Sequence, residues 1–400
     1  MKKNILLIAI LFIPLGVFAQ AELNTWLQNT TGELGYNNQP SNVQAVHYTN
    51  TDVYVSCSCI PGYDIGPWAG NPNQAENQDF CYKITRNPTE AINHQQTGLG
   101  HIGVWINGVS VFNAKDAFSY NNQGIWNQDA LVFEGASFDE CLGHPAPNGE
   151  YHNHVNPTCL YDDSDDQNHS PIIGYAFDGF PIYGAYGFEN TDGTGGIKRM
   201  ETGYILRSIT SRQSLADGTQ LSPAQYGPSV STEYPLGSYM EDYAFEQTAG
   251  DLDQFNGRFC ISPEYPDGTY AYFVTIDADR NPVFPYTIGS SYYGTVQAGN
   301  ANGPGSGHNT IPNSAIVYGL GLQSLFESDF LMYPNPANDI LNIEYKQEGS
   351  ISIYSVLGII IDERIHQNHT LLDLKDYERG MYLIQFRSED FSSTKSFVKR

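Results

Sequence analysis

From residue 20 onward, Gly, Pro and Asn interrupt the chain so often that its apolar runs stay short, and those runs are rich in Val, Ile, Tyr and Phe. A chain punctuated this way folds into sheets. DVYVSCSC alternates over 52–59, and GVWINGVSVF holds an Asn107-Gly108 step between two apolar runs, the strongest short-range hairpin signal. TYAYFVTI at 269–276 follows the turn Pro266-Asp267-Gly268. Helical periodicity is scarce; SFDECL at 137–142 and the stretch around SLFESDF are the better short candidates. The expected fold is mainly β, with a β-rich main domain and few short helices.

The 400 residues exceed one average domain. MKKNILLIAILFIPLGVFAQ has two lysines, an apolar run too short to span a bilayer and a small-residue exit, which reads as a signal peptide over 1–19. A main domain is expected over 20–296. A Gly, Asn and Pro stretch, QAGNANGPGSGHNTIPN, then opens a linker over 297–325. Alternating runs return over 326–400 with turns at Asn335-Pro336, Leu357-Gly358 and Arg379-Gly380, the pattern of a small immunoglobulin-like β-sandwich. No transmembrane segment is expected after signal removal. The 44 acidic against 19 basic residues, net -25, repel phosphate backbones and exclude nucleic acid as a natural partner.

An even number of cysteines in an exported chain predicts disulfides. Cys141 and Cys159 bracket the His-rich stretch and are the first choice of pair. Cys57 or Cys59 could reach Cys81, which leaves one partner for Cys260. Six cysteines permit 15 connectivities, so spacing alone does not choose among them.

EYHNHV at 150–155 places His152 and His154 one strand period apart, on one face, with Cα atoms roughly 6.6 Å apart. Two such imidazoles are half of many copper, zinc and iron sites. His144, His169 and His101 are the nearest further donors, while Tyr151 and Asn153 face the other way. Structural hydrogen bonding is the competing explanation. Asp178, in YAFDGFPIYG, reads either as a fourth ligand or general base for metal-bound water, or as the cap of the turn at Asp178-Gly179. Calcium is a further reading for the 161–166 acidic run and for Asp251, Asp253 and Asn256, although Ser262 stands where an EF-hand needs its terminal glutamate. Signatures of serine hydrolases, phosphate-binding loops and HExxH metalloproteases are absent.

Two resemblances carry further. Tyr333-Pro334-Asn335-Pro336, IYSVLG, GMYLIQF and the basic Lys399-Arg400 end resemble the C-terminal sorting domain of the type IX secretion system of Bacteroidetes-type bacteria. That resemblance implies a partnership with the type IX machinery, passage across the outer membrane, removal of the tail, and release or attachment to surface lipopolysaccharide. GVWINGVSVFN, FDECLGH, GEYHNH, HSPIIGYAFDGFPIYG and SPEYPDGTYAYFVT resemble the YHYH domain family, with Asn153 in place of the motif's second tyrosine. The family has no settled activity, so the resemblance marks the His-rich segment without giving a reaction. Two functions stand side by side. One is a secreted metal-binding protein using His152, His154 and His144 or His169, with metal-dependent hydrolysis or copper-dependent oxidation as its chemistry. The other is a non-catalytic surface module that binds glycan, protein or calcium.

Overall fold

The computed structural model describes residues 20–301, 306–319, 331–345, 348–355, 360–387 and 392–400. The expected signal peptide, the SLFESDF helix candidate and parts of the expected linker and of IYSVLG lie outside them. Two compact units divide the chain, Met1–Leu320 and Gly321–Arg400.

The first unit is built on two sheets. A four-stranded antiparallel sheet runs Ile316–Tyr318, Val43–Tyr48, Asp52–Cys57, Phe80–Thr85. An eight-stranded sheet runs Gly257–Cys260, Thr269–Phe273, Pro181–Tyr183, Ile172–Ala176, His101–Trp105, Ser110–Phe112, Tyr151–Asn153, His144–Pro145. Both sheets feed one buried cluster, including Val46, Val53, Val55 and Tyr82 from the first and Val104, Trp105, Ile173, Tyr175 and Tyr272 from the second. The two central strands of the larger sheet are buried at every position. That burial needs glycine where backbones meet. A Cβ on Gly103 would stand 2.8 Å from the Tyr175 carbonyl oxygen, and one on Gly174 would stand 2.7 Å from the Trp105 ring. The Asn107-Gly108 hairpin forms as expected, closed by Gly108 N–H to the Trp105 carbonyl at 2.8 Å, with Gly108 at φ +82 against Cys57 of the other sheet.

Tyrosine does more than fill this core. Its hydroxyls donate to buried or half-buried carboxylates in a repeated pairing: Tyr151 to Asp139, Tyr286 to Asp129, Tyr272 to Asp178 and Tyr270 to the half-buried Asp253. Each pair satisfies a phenol and a carboxylate that would otherwise be costly to bury.

Several expectations are corrected. The short helix lies upstream of SFDECL: Asp129 caps Ala130–Glu134 by accepting from Val132 N–H, a 3-10 turn covers Gly135–Ser137, and 139–142 is a turn. Much of the expected linker belongs to the first unit. Gln297 N–H bonds the Phe177 carbonyl, Asn300 and Asn309 bond the backbone of Lys83 and Cys81, and Ile316–Tyr318 pairs with Val46–Tyr48. Cys141 and Cys159 are bonded, but Cys57, Cys59, Cys81 and Cys260 are free. In the ladder Cys57 faces Phe80, whereas Ser56 faces Cys81. A one-residue offset turns the two thiols to opposite faces. Burial pushes the Cys59 thiol up to about 12, so it is not reactive.

The second unit has a three-stranded sheet, Leu331–Tyr333, Ile340–Glu344, His369–Asp373, and a four-stranded sheet, Ile360–His366, Gly349–Ser355, Gly380–Arg387, Ser392–Lys399. Leu341, Ile343 and Leu372 from one sheet and Ile351, Ile353, Ile384 and Phe386 from the other close its core. Alternation underlies this sandwich: in Ile340–Glu344, His369–Asp373 and Gly380–Arg387 every second side chain turns inward.

Candidate metal centre

Strand pairing, rather than the His-x-His spacing alone, assembles the site. The turn over Ala146–Gly149, with Gly149 at φ +85, folds His144–Pro145 back on Tyr151–Asn153, so that His144 stands opposite His152. His154 follows on the same face as His152. Asn153, turned the other way, donates to the carbonyls of Cys141 and Leu142, and Tyr151 donates to Asp139, whose oxygens also accept from Trp68 Nε1 and from the backbone N–H of Gly66, Cys141 and Gly143. The reverse face of the strand therefore anchors the loop while the front face carries imidazoles.

Nε2 of His152 lies 3.1 Å from Nε2 of His144 and 3.1 Å from Nε2 of His154. Glu134, at the end of the short helix, brings Oε2 to 3.0 Å from His144 Nε2 and 3.6 Å from His154 Nε2. One ligand atom from each of the four side chains lies within 4.8 Å of every other. A tetrahedral ion held at 2.0–2.1 Å separates its donors by about 3.3 Å, close to these spacings.

The outer nitrogens decide which way the lone pairs point. His152 Nδ1 contacts the Glu150 carbonyl at 3.0 Å and His154 Nδ1 contacts the Asn113 carbonyl at 2.6 Å. A carbonyl only accepts, so both Nδ1 atoms carry the proton. His144 Nδ1 lies 2.7 Å from Ser137 Oγ, whose own hydrogen goes to the Glu134 carbonyl, so this nitrogen donates as well. In the neutral rings all three Nε2 lone pairs then face one another. Contacts at 3.1 Å between lone pairs repel unless a cation lies among them.

The surroundings are apolar and tight. Phe112 stacks on His152 with ring centroids 3.8 Å apart, and Phe138 packs edge-on against His144. Burial, then the neighbouring His154 and His144, hold His152 well below the usual imidazole range. Burial would raise Glu134, but the neighbouring His144, His154 and Asp116 outweigh it and hold the carboxylate well below its ordinary range. Asp116 moves the other way, to about 7, through burial and its hydrogen bond to the Glu134 carboxylate. The histidine side chains are 3–7 % exposed and Glu134 26 %, so the helix end is the open side.

The other candidates lie elsewhere. His169 bonds the Ser170 carbonyl through Nδ1 and packs against Tyr183 and Phe188. His101 bonds Glu150 at 2.8 Å among Phe80, Tyr82 and Phe177. Asp178 is fully buried and accepts from Tyr272 hydroxyl at 2.5 Å, Gly294 N–H at 2.8 Å and Phe180 N–H at 3.2 Å, with burial pushing it up to about 6. It serves the turn and the core, not the cluster. Asp251 pairs with Lys198, Asp253 accepts from Tyr270 and two backbone N–H groups, and Asn256, at φ +65, donates to the Phe273 and Thr287 carbonyls. The carboxylate oxygens of Asp251 and Asp253 are occupied by donors, whereas Asn256 Oδ1 is buried without a hydrogen-bond partner. Within 161–166, Asp162 and Asp165 bond side chains of their own loop.

Glu134 escaped the sequence reading, as did Ser137, Asn113 and Asp116. The Asp129 cap ahead of ALVFE was a usable signal for the helix, but nothing in the spacing ties its last residue to His144.

Residues 81–284 match the family model described as YHYH protein, and residues 331–400 match that of the secretion system C-terminal sorting domain. No curated protein matches the chain. The sorting domain marks the chain for the type IX machinery and for the cell surface or the extracellular space. Among the described residues no helix is long and apolar enough to cross a membrane.

Proposed function

Because the chain belongs to the YHYH protein family and carries a sorting tail that takes it out of the cell, we propose that its main domain holds a transition metal through Nε2 of His144, His152 and His154 and the carboxylate of Glu134. The observation that carries this reading is the three protonated Nδ1 atoms, which aim three lone pairs at one point. Imidazole and carboxylate donors suit zinc and copper, and copper(II) has the higher intrinsic affinity.

Bound there, the ion would act as a Lewis acid for hydrolysis or, if copper, as a one-electron centre for oxidation. The protein's own part is clear from its contacts. Ser137, Asn113 and Glu150 orient the rings, and Phe112 and Phe138 pack against them.

A second reading is a closed structural clamp, favoured by the burial of all three imidazoles. Elemental analysis of tag-free protein beside His152→Ala tests the site. Near-stoichiometric copper or zinc, lost in a folded variant, supports it; negligible metal in both after incubation with each ion refutes it. Stabilisation by the ion without any turnover would select the clamp.

A further inference from the structure

The eight-stranded sheet carries the histidine cluster near one edge, and a cleft of about 390 Å³ opens at the other. Its walls are aromatic. Tyr270 and Tyr293 stack with centroids 3.6 Å apart at 8°, and Phe180 stands edge-on to both at 5.5 and 5.4 Å. Phe259, the cross-strand partner of Tyr270, is 62 % exposed. Its ring lies over Gly268, where a Cβ would come within 2.8 Å. On the edge strand of the sheet, this ring is the most exposed aromatic surface of the cleft.

Charge narrows what that could be. The guanidinium of Arg86 is committed to Glu22 at 2.9 Å and to the Thr49 carbonyl at 2.8 Å. Glu90 lies exposed at the rim, accepting from Tyr293 hydroxyl at 3.1 Å. Among the described residues lining it, the cleft offers the exposed ring of Phe259 and the carboxylate of Glu90 and no uncommitted cation, on a chain of net charge -25. Anionic ligands are repelled.

We propose that this cleft binds a neutral saccharide. The C–H groups on one face of a pyranose carry slight positive charge and complement the negative faces of aromatic rings. Its rim of hydroxyls donates to carboxylates such as Glu90. A cleft this size falls in the range of small-ligand sites. Five strand steps separate Tyr270 from the His152 strand, about 24 Å at 4.8 Å per step. The cleft is thus an attachment site separate from the histidine cluster, on a protein delivered to the cell surface or the extracellular space.

Calorimetric titration of the full chain with cellohexaose, laminarihexaose, maltohexaose and mannohexaose, with an alginate hexamer as the anionic control, tests this. At least one neutral oligomer binds, and Phe259→Ala weakens it by about tenfold, the loss of one stacking contact. Glu90→Gln weakens it less. Both side chains are exposed, so neither variant threatens the fold. Absence of binding by every neutral oligomer, preference for alginate, or unchanged affinity in both variants overturns the proposal.

Discussion

Cutting the Cys141–Cys159 bond tests the architecture of the site most directly, because all three clustered histidines lie between its ends. A separation of 18 residues corresponds, in the chain-entropy account, to about 3 kcal/mol at 25 °C gained by restricting the unfolded chain. Cys141→Ser/Cys159→Ser removes that restriction while leaving a small side chain in the buried Cys141 position. Trp26, Trp68, Trp105 and Trp126 are all in the first unit and buried, and the second unit contains no tryptophan. Tryptophan fluorescence of the full chain in urea therefore follows the first unit alone. With a slope of about 3 kcal/mol per molar, the midpoint falls by about 1 M. A shift below about 0.2 M would refute the reasoning. It would mean that Asp139, bonded to Cys141, Gly143, Tyr151 and Trp68, already holds the loop without the disulfide.

Three further outcomes are expected. Arg212 and Asp242 form a fully buried two-point pair at 2.7 Å, and Arg212 also donates to the Pro228 and Pro235 carbonyls, so Arg212→Met costs about 3–5 kcal/mol in urea unfolding, and a loss under about 1 kcal/mol would contradict this. Asp129 is raised to about 7 by burial, so the stability it contributes is complete below its ordinary value of 3.8 and lost as pH rises through 7; melting temperatures that fall between pH 5 and 8 should fall less in Asp129→Asn, and identical slopes would reject that assignment. Ser137→Ala removes the hydroxyl that accepts from His144 and donates to the Glu134 carbonyl, so metal affinity measured by chelator competition drops about 10–100-fold with little change in melting temperature. Unchanged affinity would remove Ser137 from the site's support.

Legibility of the fold followed how local each signal was. Hairpin chemistry at Asn107-Gly108 and alternation in the last 70 residues depend on neighbours in sequence, and the structure builds both as read. The Cys141–Cys159 bond was readable because the two cysteines flank one short loop. Cys57 and Cys81 looked equally near, but whether two strand residues can meet depends on ladder register, which spacing does not carry. The Gly/Asn-rich stretch after 297 read as a linker because it lacks apolar residues. It is held by backbone and amide hydrogen bonds, which hydropathy does not register.

The same division runs through the candidate site. By itself, the sequence determined that the chain is a sheet protein, that it ends in a sorting domain, and that His152 and His154 share a face, because strand period and turn chemistry act within a few residues. Only tertiary structure set His144 opposite His152, brought Glu134 from a separate helix, and sent Asp178 into the core beside Tyr272. It also fixed which imidazole nitrogens carry protons, through a serine and two carbonyls. A metal site is a convergence of directions in space, and those directions are set by register and packing between segments that the linear order leaves apart.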